Sequence, residues 1–86
     1  MISTPLFQII LDSVLFFGLS NDDVVQPDAA VSQLEAISSI LRELPGSDKR
    51  DFLAFVERAA NSEEAEGGTR ERIEFMRKLS ESLGLA

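Results

Sequence analysis

TPLFQIILDSVLFFG, residues Thr4 to Gly18, is the most apolar stretch of the chain, and Asp12 is its one charge. Thr4 followed by Pro5 marks a helix start. Threonine caps free amides, and a proline at the first helical position gives up a donor that had no partner. Gly18 marks the other end, since glycine takes the left-handed conformation that closes many helices. A helix over about 5–17 follows. At 3.6 residues per turn, Gln8 and Asp12 fall on one side beside Pro5, with Leu6, Phe7, Ile10, Val14 and Phe17 opposite. Ile9 and Phe16 flank the polar stripe on one edge, Leu11 and Leu15 on the other. The apolar surface covers well over half the circumference, whereas an ordinary amphipathic helix buries a stripe of little more than about 100°.

Such a helix needs contact on more than one side. Three arrangements meet that need: a core helix enclosed by the others, a helix shared between its own core and a homo-oligomer seam, and a helix facing a partner or a membrane. A membrane span takes about 20 apolar residues, and Asp12 interrupts this run. No Lys or Arg precedes the run, unlike a signal peptide, and none lies on its polar face, unlike a membrane-surface helix. No membrane partner is expected.

The rest of the chain supplies cover for that helix. Met1 to Ser3 reads as a frayed lead. Ser20 and Asp23 predict a single turn before Val24 and Val25, with both valines turned inward, and Gln26 is extended because Pro27 follows it. Pro27 and Asp28 open a second helix, about 28–44. Its apolar positions are Ala30, Val31, Leu34, Ile37, Leu41 and Leu44, with Ile40 on the flank, and Pro45-Gly46 stops it. Ser47 is the expected cap of a third helix, about 48–62, with Phe52, Phe55, Val56, Ala59 and Ala60 on one face. Asn61 to Glu66 either extends it as a polar overhang or frays. Gly67 and Gly68 end it, and Thr69 caps a fourth, about 70–83. That helix carries Ile73, Met76, Leu79 and Leu83 as a stripe and Phe75 on its shoulder. Ser80 marks a possible kink, Gly84 closes the helix, and Leu85 packs back on it. The later connectors are short, so neighbouring helices run antiparallel. The expectation is one all-α domain over 1–86, a small four-helix bundle or orthogonal four-helix array.

Composition excludes several chemistries. The chain has no Cys, His, Trp or Tyr. Disulfides, thiolate metal sites, cysteine nucleophiles and imidazole bases are therefore absent. The serines have no histidine to activate them, and no G-x-S-x-G occurs. Lys49 and Lys78 lie on polar faces, away from the desolvated surroundings that activate an amine. The acids Asp22-Asp23 and Glu63, Glu64 and Glu66 lack the ligand spacing of a calcium loop. A bundle di-metal site needs Glu-x-x-His twice. No enzymatic activity, cofactor or metal is expected, and a reducing compartment such as the cytoplasm fits the missing cysteines.

Fifteen acids against eight bases give a net charge of −7. That acidity opposes nucleic-acid binding, which draws most of its affinity from basic surface. The only mildly basic part is 69–86, where Arg70, Arg72, Arg77 and Lys78 face three glutamates. These bases can meet the acids of 20–46 and 47–68 in the same molecule or in a second copy.

Three functional readings follow. The first is a non-enzymatic interaction module, expected to form a homodimer through Ile9, Leu11, Leu15 and Phe16, with Asp12 at the rim. The second is an inhibitor or antitoxin that meets a basic protein through Asp22, Asp23, Asp28 and Glu35. In size, acidity and helix count the chain loosely resembles bacterial immunity proteins against nuclease toxins. Those proteins bind through a tyrosine pair, and this chain has no tyrosine. The third is an anion site at Gly68, Thr69, Arg70 and Arg72, where free amides, the helix dipole and two guanidinium groups converge on one helix start. The Lys-Ser/Thr pair of a P-loop is missing there.

Overall fold

A computed structural model describes residues 4–84, except for the side chain of Ser80. The Met1–Ser3 lead and the expected Leu85 contact lie outside the described residues. The helices are α1 (Thr4–Leu19), α2 (Pro27–Arg42), α3 (Gly46–Ala65), α4 (Arg70–Arg77) and α5 (Leu79–Ser82). The last two form one bent arm, so the protein is all-α with four helical arms, and no strand occurs among the described residues. The bend falls at Lys78 rather than at Ser80: Lys78 closes α4 and opens α5, and its amide is shared between the Glu74 and Phe75 carbonyls.

Several helix ends follow local rules. Gln26 is extended before Pro27, which occupies the first turn of α2. Thr69 accepts a hydrogen bond from the Arg72 amide and caps α4. Gly67 and Gly84 take positive φ, at 77° and 69°, and end α3 and the α4–α5 arm. Two expectations fail. α3 begins at Gly46 behind Pro45, so Ser47 sits inside the first turn and makes no capping bond. Gly18 does not end α1, which runs through to Leu19. Its role is close approach: a Cβ at Gly18 would overlap the Phe75 ring.

The core draws one stripe from each of three arms. α1 gives Phe7, Leu11, Val14 and Leu15; α3 gives Phe52, Phe55, Val56 and Ala60; the α4–α5 arm gives Ile73, Met76, Leu79 and Leu83. Phe7 joins two of these stripes. Its ring meets Phe52 edge-on at 5.5 Å and Phe55 at 5.8 Å between centroids. Such pairs add about 0.5–1.5 kcal/mol beyond the area they bury.

α2 is the least buried arm. Its main neighbour is α1, and an open cleft separates it from the α4–α5 arm. Ala30 and Leu41 are buried and Leu34, Ile37 and Leu44 partly so, whereas Val31 is 55% exposed. Ser38 is buried in place of an apolar residue; its hydroxyl donates to the Leu34 carbonyl at 2.8 Å, which removes the cost of an unpaired polar group. The 20–25 connector holds the expected single turn, with the Val24 and Val25 amides on the Asn21 carbonyl. Val25 is half-buried, but Val24 points outward, contrary to expectation.

Candidate interaction surface

α1 divides its apolar residues between two faces. Phe7, Leu11, Val14 and Leu15 recur at the spacing of one helical face and are buried. Leu6, Ile9 and Phe16 lie outside, 51%, 61% and 50% exposed. Leu11 and Leu15, expected at the oligomer surface, belong to the core instead. The physical reason is that α3 and α4 pack on the Leu11–Leu15 edge, against Ala59, Arg72 and Met76. Of the five residues assigned to that surface, Ile9, Asp12 and Phe16 stay on it. Leu6 was missed, because on the wheel it sits opposite the polar stripe and reads as core.

The outer face has defined shape. Phe16 and Phe17 meet edge to face at 5.4 Å. Beside Phe16 lies a hollow of about 310 Å³, lined by Asp12, Leu15, Phe16, Leu19, Ser20 and Arg72. Asp12 is held at the rim by the Gln8 amide, which donates to it at 2.8 Å. An apolar knob therefore stands next to a hollow with an acid and a base at its edge.

The acids assigned to a basic partner are all exposed. Asp22 and Asp23 lie in the 20–25 turn; Asp28 and Glu35 lie seven residues apart on one face of α2. Among the described residues none of the four makes an ion pair. The bases of the last arm meet acids of the same molecule. Arg70 pairs with Glu64 at 3.4 Å and Arg72 with Glu63 at 3.3 Å. Arg77 pairs with Glu64 at 2.9 Å and Glu57 at 3.3 Å, and also bonds Asn61. This is also why α3 continues as a polar overhang to Ala65: its glutamates are tied to α4.

These pairs change the reading of the Gly68–Thr69–Arg70–Arg72 corner. Glu63 and Glu64 already engage both guanidinium groups. The Glu63 side chain also packs on Gly68, where a Cβ would collide with it. The corner clamps α3 to α4, and its carboxylates stand where an anion would have to sit. Arg77→Ala is expected to cost at most about 1 kcal/mol, because its partners are substantially exposed. That cost should shrink in high salt when measured by urea denaturation.

Among the described residues, no group of three acids is placed to hold a metal ion, and no helix is long and apolar enough to cross a membrane. No family model, curated protein or solved structure matches the chain at a significant level.

Proposed function

We propose that this protein is a non-enzymatic interaction module that associates with a second copy of itself through the outer face of α1. The observation that carries this reading is the exposure of Leu6, Ile9 and Phe16 on one helix whose only charge is Asp12. Two copies at −7 each repel, and the first 19 residues are the part of the surface where that repulsion is least. A two-fold contact needs one self-complementary patch. Phe16 beside its hollow meets that need, since each copy's ring can enter the other's hollow.

Magnitudes set the extent of the seam. Full burial of one large apolar side chain is worth about 1.5–3 kcal/mol, and these three start half-exposed. Association costs about 4–15 kcal/mol in lost freedom. Three residues do not offset that, so the seam extends along α1 to the partly buried Ile10 and Phe17. A standard interface covers about 800 Å² per partner, roughly one-seventh of the 5450 Å² surface.

The test is solution mass by light scattering over a concentration series, for the native chain and for Phe16→Glu. The native mass is expected to rise towards the dimer, and to rise further with salt as repulsion is screened. Phe16→Glu should stay monomeric with unchanged helix content, because Phe16 lies outside the core. A native chain that stays monomeric at about millimolar concentration, weaker than any specific dimer of use, would overturn the reading.

A second reading rests on a different observation: Asp22, Asp23, Asp28 and Glu35 lack the ion pairs that occupy the glutamates of α3. A basic protein is the partner they suit. Its binding would weaken with salt, opposite to self-association.

A further inference from the structure

The cleft between α2 and the α4–α5 arm has a volume of about 550 Å³. That falls within the roughly 300–1,000 Å³ typical of small-molecule sites. It exists because α2 rests mainly on α1 and leaves its own inner flank unfilled. Val14 and Gly18 of α1 form the floor, Val31 and Leu34 one wall, and Phe75 and Leu79 the other. Gly18 lets the Phe75 ring lie directly on α1.

The polar groups of the cleft are unevenly placed. Arg42 is its one cation and stands at the end near Leu83. One guanidinium nitrogen donates to the Leu83 carbonyl at 3.3 Å, which holds the group in place. Arginine has five N–H donors, so most remain available. Among the described residues no carboxylate pairs with it, unlike Arg70, Arg72 and Arg77. Glu35 lines the cleft two turns back along α2, about 10 Å away.

We propose that this cleft binds an aliphatic monocarboxylate, with the acid head on Arg42 and the tail along Leu34, Val31 and Phe75. A carboxylate matches the guanidinium fork in two parallel hydrogen bonds. Apolar walls suit an uncharged tail. Glu35 sets the direction, because an acid head bound at its end would be repelled. The net charge of −7 opposes any anion at long range. Screening over about 8 Å at physiological salt leaves the adjacent guanidinium as the dominant charge at the head site. This site is on the opposite side of α2 from Ile40 and is separate from the self-association face of α1.

The test is titration of the isotope-labelled chain with octanoate, 1-octanol and octylamine, followed by amide chemical shifts. Octanoate is expected to move the signals of Leu34, Ser38, Phe75 and Leu79 and to bind at least about ten-fold more tightly than the alcohol, the scale of a charged hydrogen bond. Arg42→Gln should reduce the acid to the level of the alcohol. Val31→Trp fills the cleft from an exposed position, leaves the core intact, and should abolish both. The proposal is overturned if acid and alcohol bind alike, if the amine binds best, if Val31→Trp leaves binding unchanged, or if the shifts gather at Leu6, Ile9 and Phe16. The mass measured without ligand reports self-association separately.

Discussion

Phe52→Ala is expected to remove about 3–5 kcal/mol of stability, the usual cost of emptying a phenylalanine site in a packed core. Phe52 is fully enclosed, at 0% exposure, and is the largest of the completely buried side chains. It meets the Phe7 ring of α1 at a steep angle, so its ring joins α3 to the helix around which the chain folds. No small rearrangement fills the space, because Val56 and Ala60 lie on the same buried stripe of α3 and cannot extend. A chain of 86 residues has a stability of about 4–13 kcal/mol at the usual 0.05–0.15 kcal/mol per residue. The substitution therefore removes between about a quarter and all of it. The midpoint of thermal unfolding should fall by roughly 12 °C or more, at about 4–8 °C per kcal/mol for a domain this size. With no Trp or Tyr in the chain, far-ultraviolet circular dichroism is the suitable readout. A loss below about 1 kcal/mol, the scale of a minor substitution, would mean that the Phe7–Phe52 contact does not organise the core.

The second large effect comes from comparing two residues two positions apart in the same apolar run. Leu11 is 2% exposed and Ile9 is 61% exposed. Leu11→Ala is expected to cost about 2–5 kcal/mol, through lost burial and the cavity left behind. Ile9→Ala should stay within about 0.5 kcal/mol, as substitutions at open surface do. Both are to be measured by urea denaturation at low protein concentration, so that the proposed association does not contribute. Equal costs would show that α1 is enclosed on both sides within one chain, which removes the free face on which self-association depends.

The contrast between Ile9 and Leu11 also shows where sequence reasoning reaches its limit. On α4 and α5 the apolar residues Ile73, Met76, Leu79 and Leu83 face a largely polar remainder, so periodicity alone gives the buried side, and all four are buried. On α3 the same logic places Phe52, Phe55, Val56 and Ala60 inward. α1 is apolar nearly all round, and a pattern without a polar half carries no direction. The inward face was fixed by the neighbours, through Phe75 against Gly18 and Met76 beside Leu11 and Leu15. Leu6 and Leu15 accordingly exchanged places relative to expectation.

α2 failed differently. Val31 and Ser38 occupy nearly the same side of the helix, and hydropathy favours burying the valine. The helix rests mainly on α1, so depth along the cleft decides burial: Ser38 is covered and satisfied by Leu34, while Val31 stays open at the cleft wall. The cleft and Arg42's position in it arise from that packing and have no local signature in the chain. Charge was partly legible. The basic 69–86 segment against the acidic segments before it indicated pairing, and the ion pairs between α3 and α4 place that pairing within one molecule.

α1 buries one face in its own chain, and on the proposed reading it offers the other to a second copy. The direct measurement is an isotope-filtered nuclear Overhauser spectrum on a mixture of labelled and unlabelled protein, which reports only contacts between copies. Cross-peaks are expected between the Phe16 ring of one copy and the Phe16, Ile9 and Leu6 side chains of the other. Absence of contacts between copies at concentrations where the mass is dimeric on this face, or contacts confined to α2 and the α4–α5 arm, would contradict it.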